Sequence, residues 1–396
     1  MSDECSTLPR TAGAEASPVV PPILTPALLR LLVALVGSAF SFYLLLSVVP
    51  LYLDRAGAGG AGAGLAMGVM MLATVLTEVA VPRMLSGLGQ RAVLALGLVL
   101  MGAPALVLPL SSGLPLVLTV CLARGAGLAI LVVAGTALVA ELVPTSRRAE
   151  GLGLYGVVVG APAVVGLPLG VYLSSRIGFD PVFVIAAASS LVGLVMLPGL
   201  PGAEPAASRA PHVPILRGLG GSGLLRPAMV FAAVTFTAGV VVTFLPLAVT
   251  TGHSVVPMAL LAQSLVTPIA RWAAGRYGDR FGSRRFLVPS ILVSAIGAAA
   301  LMLVDRPAML IGGMLLFGIG FGAAQNVTLA VMFERAPAQE YGRVSAVWNI
   351  AFDAGMGIGA IGFGAVVGWT GYPLAFGLTA LVLGLAVIPA VKASAA

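Results

Sequence analysis

The stretch "GRYGDRFGSRR", residues 275–285, places five charged side chains between two long apolar runs. Only 9% of the whole chain is charged, so charge is unusually concentrated here. The flanking apolar runs, 255–274 and 286–304, are each about as long as a helix that crosses a membrane. The pattern predicts two membrane helices joined by a short, strongly basic connection.

The composition of the rest of the chain extends this prediction. The 396 residues are 59% hydrophobic, with a mean hydropathy of +1.08, whereas about 25% of the residues of a soluble domain are charged. Lipid must therefore be the solvent for most of the surface. The sequence predicts an all-α integral membrane protein with twelve transmembrane helices, at 28–50, 62–82, 92–110, 115–140, 152–174, 180–198, 227–250, 255–274, 286–304, 308–333, 343–367 and 371–391.

The formal net charge of +7 comes from an uneven distribution of basic residues. Seventeen of them lie on the side of the predicted helices that carries both termini, and only Arg55, Arg176 and Arg306 lie on the other side. By the positive-inside rule, both termini are predicted to be cytoplasmic. The charge is thus a topology signal of a bacterial inner-membrane protein in contact with the lipid bilayer. It does not indicate a nucleic-acid partner.

Two segments interrupt the apolar pattern and divide the chain. Residues 1–26 are predicted to be a disordered tail, and residues 199–226, rich in Pro, Gly and Arg, a cytoplasmic linker. The remaining segments, 27–198 and 227–396, each contain six predicted helices, and they repeat when residue numbers are shifted by 193. The matching pairs are Gly89/Gly282, Arg91/Arg284, Gly125/Gly318, Gly127/Gly320, Glu141/Glu334, Pro144/Pro337 and Gly166/Gly359. Two such halves in parallel repeat are the plan of many secondary transporters, with the substrate site between them.

The opening stretch resembles the signature loop G-x-x-x-D-R-x-G-x-R-R of the major facilitator superfamily. The residues that carry the resemblance are Gly275, Asp279, Arg280, Gly282 and Arg284. The resemblance implies two six-helix pseudo-symmetric bundles that alternate access to a central cavity.

Two expectations about this gating loop follow from the resemblance and the residues. Gly278 and Gly282 are expected to permit a tight turn. Asp279 is expected to face Arg147 and Arg148 as a latch that holds the cytoplasmic side closed. The equivalent connection of the first half, "PRMLSGLGQR" (residues 82–91), has Ser86 in place of the acid.

A second stretch, "GVVVGAPAVVGLPLG" (residues 156–170), is similar to the G-x-x-x-G-P-x-x-G-G pattern of proton-coupled antiporters in this family. The matching residues are Gly156, Gly160, Pro162 and Gly166, with Ala161 inserted before the proline. The resemblance implies a rocking interface between the halves. The alternative is ordinary packing of small residues between membrane helices.

Three charged residues inside predicted helices are candidates for proton coupling. Asp353 lies about 15 Å into the eleventh helix, where an ionised carboxylate is costly unless it is paired or protonated. Its alternatives are substrate binding and a structural polar link to a neighbouring helix. Arg124 is the one basic residue well inside a helix, and its surroundings resemble the family's helix-four motif for proton transfer. It could instead bind an anionic substrate or neutralise an acid. Glu78 and Arg271 occupy equivalent repeat positions near the inner face, where either snorkelling or a gate salt bridge would explain them.

The substrate cavity is predicted from the remaining polar groups near mid-membrane. These are Tyr43, Arg124, Gln263, Gln325, Asn326, Trp348 and Asn349. Such sparse polarity among oily walls favours a small, fairly hydrophobic or amphipathic solute.

The sequence gives no support for an enzyme, a metal site or a cofactor, because His212 and His253 have no ligand-forming neighbours and no phosphate-binding loop occurs. We therefore expect a monomeric, proton-driven exporter of a small molecule. A symporter or uniporter for metabolite uptake, and a transport-inactive receptor or scaffold, are the alternatives.

Overall fold

The computed structural model describes residues 24–144, 147–200, 223–249, 254–337 and 340–395. Helices make up nearly all of this part of the chain. Most of the predicted tail and linker, including His212, and also His253, lie outside the described residues.

Eleven helical segments in the described residues are long and apolar enough to cross a membrane. The last has 54 residues, and Gly371 interrupts it with a left-handed conformation (φ 71°, ψ 167°), so that it forms two spans. The twelve spans predicted from hydropathy are therefore present. Spans 1 to 10 are Pro26–Arg55, Gly59–Leu88, Gln90–Leu110, Leu114–Leu142, Glu150–Ile177, Phe179–Gly199, Leu225–Ala248, Val255–Phe281, Ser283–Leu303 and Pro307–Phe333, and spans 11 and 12 are the two parts of Tyr341–Ser394 on either side of Gly371.

Several spans are not continuous α-helices: they contain a break or end in a 3₁₀-helix. Span 1 consists of Pro26–Leu46 and Val48–Arg55 on either side of Ser47. Spans 3 and 6 finish in 3₁₀ turns, Ala103–Leu110 and Val192–Gly199. A short helix, Val387–Ala395, follows Tyr341–Leu385 at the end of the chain.

The charged stretch that joins spans 8 and 9 differs from the loop expected from the sequence. Span 8 continues as a helix to Phe281, because backbone groups near the membrane are best satisfied inside a helix. The turn is made by Gly282 alone, with φ 88°. Gly278 was expected to share this turn, but it lies inside the helix, where an added Cβ would meet Ser283 Oγ at 2.9 Å.

The sequence repeat between the two halves is visible in the backbone. Gly89 and Gly282 both adopt positive φ, 76° and 88°, where spans 2 and 8 end. Gly178 and Gly371, with φ of 86° and 71°, turn the chain between spans 5 and 6 and between spans 11 and 12. Only glycine adopts such values without steric cost, so the same backbone turn recurs in each half.

The repeat also determines which helices pack closely. An added Cβ at Gly125 would collide with the carbonyl oxygen of Met70, and one at Gly318 with that of Gln263, the repeat equivalent of Met70. Gly166 packs against Tyr43 of span 1, and Gly359 packs in the same way against Phe236 of span 7. Small residues at these points let backbones approach in lipid, where packing drives helix association.

The two halves meet mainly on the side of the membrane away from the termini. There Gly60, Gly64 and Gly68 of span 2 approach Val367, Ala360 and Ile361 of span 11. In addition, Ser47 Oγ donates a hydrogen bond to the carbonyl oxygen of Val242, at 2.9 Å, between spans 1 and 7. This side of the molecule is closed by direct backbone packing.

On the side of the membrane that carries the termini, the ion pairs between described residues lie within each half. The three ion pairs between described residues are Arg147–Glu150 at 2.9 Å, Arg284–Glu334 at 3.0 Å and Arg343–Glu340 at 3.1 Å. The first lies in the first half and the other two in the second. None of the three joins the two halves.

Candidate substrate and proton site

Asp353 lies where the tight packing between spans 2 and 11 ends. It is 7% exposed and one helical turn before Gly357, which packs against Met71 of span 2. Asp353 forms no ion pair with any described residue. A buried carboxylate without a cationic partner is costly when it is ionised, so this position favours a group that exchanges a proton.

Glu78 of span 2 is half-buried and lies close enough to Asp353 for the two acids to interact electrostatically. They come from different halves of the molecule. The gate salt bridge considered for Glu78 and Arg271 does not form in this conformation. Arg271 instead donates a hydrogen bond to Gln325 Oε1 at 3.2 Å, so the two halves contribute two neighbouring acids rather than an ion pair.

Tyr43 of the first half lies near charged groups of the second half. It lies on span 1, and Arg271 and Asp353 of the second half are near enough to interact with it electrostatically. Tyr155 of span 5 is also a neighbour, and its hydroxyl donates to the carbonyl oxygen of Val132 at 3.3 Å. The predicted cavity residue Tyr43 therefore lies near Asp353 and Arg271 of the other half.

Arg124 is separated from these acids and is buried in the first half. Its side chain is 2% exposed. It donates to the carbonyl oxygen of Ser41 at 2.9 Å, to Ser41 Oγ at 3.4 Å, and to the carbonyl oxygen of Met101. All of these partners are neutral, and they fix the guanidinium between spans 1 and 3.

Arg124 also lines a small apolar cavity between spans 1, 2 and 4. Its volume is about 20 Å³, room for roughly one water molecule. The other lining residues are Phe42, Leu45, Leu46, Val49, Pro50, Ala66, Met67, Met70 and Cys121.

The remaining predicted cavity residues have different surroundings. Gln263 is 6% exposed and its Oε1 has no hydrogen-bond partner among the described residues. Asn326 lies beside Gly275, at whose position a Cβ would be 3.0 Å from the Asn326 amide. Trp348 stacks on Phe231 with ring centroids 4.4 Å apart, and its indole donates to Thr328 Oγ1 at 3.2 Å. Trp348 is thus packed into an aromatic cluster, while Asn349 beside it is half-buried.

The gating residues do not form the expected latch in this conformation. Asp279 is exposed and has no ion pair with a described residue. Arg147 binds Glu150, and Arg284 binds Glu334. Arg280 is exposed, and the side chain of Arg148 lies outside the described residues. The latch stays a prediction about the conformation in which the side that carries the termini closes.

The glycines of the antiporter-like stretch separate into two groups. Gly156 and Gly160 are exposed, and an added Cβ would meet no atom within 4 Å. Pro162 is buried, and Gly166 packs on span 1 of its own half. Span 5 also contacts span 8 of the other half, where Ser264 Oγ donates a hydrogen bond to the carbonyl oxygen of Val164 at 3.5 Å.

Two residues of the site were absent from the sequence predictions. Tyr155 is the repeat equivalent of Trp348, so the comparison of the two halves could have identified it. Ser41, which binds Arg124, had no such signal, because a single serine in an apolar helix usually bonds to its own backbone.

Twelve spans in two repeated halves, with ionisable groups buried between and within them, define a polytopic carrier of the secondary-transporter class. The family model described as Major Facilitator Superfamily matches residues 31–272 and 228–394. The chain belongs to this family, and it is a membrane transporter.

Individual relatives agree with this assignment. The chain is 26% identical over 385 residues to "Uncharacterized MFS-type transporter YhhS" of Escherichia coli strain K12, covering 92% of this chain and 94% of the relative. It is 34% identical over 136 residues to "Multidrug resistance protein B homolog" of Mycobacterium tuberculosis strain CDC 1551 / Oshkosh, covering 33% of this chain and 24% of the relative. With these bacterial relatives, the many spans indicate a multi-pass inner-membrane protein.

Solved structures share the fold at low sequence identity. A D-xylose-proton symporter has a TM-score of 0.75 at 15% identity, with 91% of this chain and 96% of that chain covered. A POT family transporter in complex with 5-aminolevulinic acid has a TM-score of 0.74 at 12% identity, with 92% and 94% covered.

Proposed function

We propose that this transporter exports a small hydrophobic or amphipathic molecule in exchange for protons, with Asp353 as the group that carries the proton. The observation on which the proposal depends is the position of Asp353. It is a buried acid without a cationic partner among the described residues, and it lies where the packed side of the interface ends.

The energetics of burial explain how a proton would drive the cycle. An ionised Asp353 is costly in its buried position, and the nearby Glu78 adds repulsion between like charges. A proton on Asp353 removes both costs. Protonation therefore favours the conformation in which Asp353 is buried, and loss of the proton favours a conformation in which water reaches it.

The orientation of the chain gives this cycle a direction across the membrane. In the proposed topology the termini and the linker are cytoplasmic, since the side that carries them holds most of the arginines. The tightly packed side of the interface then faces outward, and the side on which none of the three ion pairs between described residues joins the halves faces the cytoplasm, from which an exporter takes its substrate. The partial likeness to a multidrug resistance protein homologue supports export.

The topology can be tested with a single cysteine. In a Cys5→Ser background, His212→Cys should react with a membrane-impermeant maleimide in everted vesicles but not in intact cells. Labelling in intact cells would place the linker outside and overturn the proposed direction.

Proton exchange can be tested in everted vesicles that hold an acid interior. Solutes from a panel of toxic amphipathic compounds are added, and a pH-sensitive dye follows the gradient. A transported solute should discharge the gradient in the wild-type protein but not in the Asp353→Asn variant, which has the same shape and cannot titrate. Exchange of labelled solute between equal pools should survive in this variant.

Asp305→Asn is the matched control, because Asp305 is exposed in the turn between spans 9 and 10. This variant should behave like the wild-type protein. If the Asp353→Asn variant still discharges the pH gradient when solute is added, with the same dependence of the rate on pH as the wild-type protein, Asp353 does not carry the proton. A solute that moves together with protons would indicate the alternative, a symporter, and a ligand that binds without transport would indicate a receptor.

A further inference from the structure

We propose that Arg124 binds the anionic head group of the transported molecule, which makes the substrate class a monovalent amphipathic anion, such as a carboxylate with an apolar tail. The inference depends on the proposed function, because it names the chemistry of the molecule that is exported. In this proposal Arg124 contacts the substrate and does not serve only to join helices of the first half.

The first argument is the charge balance around Arg124. The guanidinium is buried, and its partners Ser41 and Met101 provide only neutral oxygens. No described acid forms an ion pair with it. The two acids of the site are near each other instead, at Glu78 and Asp353. A buried cation without a counter-ion is costly, and an anionic ligand would remove that cost.

The second argument is the hydrogen-bonding capacity of the guanidinium. It has five N–H donors, and three hydrogen bonds join it to Ser41 and Met101. The remaining donors can bind a carboxylate in the planar geometry for which arginine is suited. Because spans 1 and 3 already hold the side chain, little conformational entropy is lost when a ligand binds.

The third argument is the apolar wall beside the charge. Phe42 and Leu45 of span 1 and Met67 and Met70 of span 2 line the same cavity as Arg124. Methionine side chains adapt their shape easily, so Met67 and Met70 can move aside to admit an apolar tail. In this conformation the cavity is small, about 20 Å³, so an apolar tail would enter only as these side chains move.

The second half of the molecule has no equivalent of this site. The repeat position of Arg124 is Phe317, which is fully buried and stacks on Phe321 with ring centroids 5.6 Å apart. At position 317 an apolar side chain is enough to pack the helices of the second half. If the role of Arg124 were only to pack the helices of the first half, an apolar side chain would be enough at position 124 as well. The charge is a feature of the first half alone.

The test compares three six-carbon compounds on the purified full-length Cys5→Ser protein. The compounds are hexanoate, neutral hexanamide and cationic hexylammonium, and the measurement is the thermal unfolding midpoint. A thiol-reactive dye can report unfolding because Cys121 is 3% exposed in the folded protein. We expect hexanoate to raise the midpoint in a saturable manner, and the other two compounds to leave it unchanged. Equal effects of all three, or no effect of hexanoate, would overturn the proposal.

Variants distinguish binding at Arg124 from binding elsewhere. Arg124→Gln should lose the response to hexanoate, and Arg124→Lys should retain part of it, because the charge remains and the planar geometry is lost. Arg306→Gln is the matched control, since Arg306 is exposed in the turn between spans 9 and 10, away from the site, and this variant should respond fully. If Arg124→Gln does not fold, the ligand series on the wild-type side chain and the Arg124→Lys variant still decide the proposal.

Failure of this inference is distinguishable from failure of the proposed function. Stabilisation by hexylammonium instead of hexanoate would exclude an anion site and leave proton-coupled export standing. Conversely, a response to hexanoate that requires Arg124, together with normal gradient discharge by Asp353→Asn, would support the anion site and contradict the role of Asp353.

Discussion

The two halves of this transporter share one backbone plan and differ in their buried chemistry. The glycines that turn the chain or let helices touch recur at equivalent positions of the repeat, with similar dihedral angles and equivalent neighbours. The buried ionisable groups do not recur as the same residue. Arg124 corresponds to Phe317, Glu78 to Arg271, Met70 to Gln263 and Gly160 to Asp353.

This difference separates two physical requirements. Close backbone approach depends on the absence of a side chain, so it requires glycine at the same place in both halves. A charge in the membrane is costly, so it occurs where it has a use. The equivalent position carries an uncharged residue, as at Phe317, or a charge of opposite sign, as at Arg271. The comparison predicts that repeat-related glycines tolerate substitution equally badly, whereas repeat-related charges have unrelated effects.

The largest effect is expected at the glycines of the helix contacts. Gly125→Val and Gly318→Val should each destabilise the protein by about 3 kcal/mol or more, because the added side chain collides with a backbone carbonyl that cannot move easily. Thermal unfolding of the purified variants measures this. Gly156→Val is the control, since nothing lies within 4 Å of its position. A Gly318→Val variant as stable as the control would contradict the shared packing.

A smaller effect is expected at Glu78, the acid beside Asp353. Glu78→Gln should slow proton-driven transport about tenfold, equivalent to about 1.4 kcal/mol, because the repulsion that helps to expel the proton is lost. Transport should persist, in contrast to Asp353→Asn. Initial rates of gradient discharge in everted vesicles provide the comparison. Complete loss of transport in Glu78→Gln, with normal folding, would mean that Glu78 carries the proton instead.

A third effect concerns the connections between spans 2 and 3 and between spans 8 and 9. If Asp279 closes the side that carries the termini, Asp279→Asn should shift the population toward the open state by about fivefold, the effect of about 1 kcal/mol. Ser86→Asp introduces the missing acid in the first half and should shift it the other way. The rate at which a cysteine at Asn349 reacts with a maleimide reports the population. If the cysteine at position 349 reacts at the same rate in both variants as in the protein without them, Asp279 does not act as a latch.

The smallest effect is expected at the surface pairs that link helix ends. Glu334 binds Arg284 at 3.0 Å, and at the equivalent place Glu141 accepts a hydrogen bond of 2.7 Å from Gln90. Both sites are exposed, so Glu334→Gln and Glu141→Gln should each cost less than about 1 kcal/mol. Thermal unfolding at low and high salt would test this, and a large loss in either variant would indicate a structural role for these pairs.

The sequence by itself determined the number of spans, the repeat and the family. Because lipid is a uniform apolar solvent, a continuous apolar run identifies a helix whatever its neighbours are. The repeat could be detected because glycines at helix contacts and turns cannot be replaced without cost. The same logic identified Asp353 and Arg124 as unusual, since a charge within an apolar run stands out without any knowledge of the fold.

Only the tertiary structure decided which groups meet. Arg124 binds Ser41, which is 83 positions away in the chain, and Trp348 stacks on Phe231, which is 117 positions away. The proximity of Glu78 to Asp353, and the hydrogen bond between Arg271 and Gln325, likewise depend on how the helices are rotated about their axes. Hydropathy carries no information about that rotation in helices that are apolar on every face. The rotation is set by small residues and shape at contacts between distant segments.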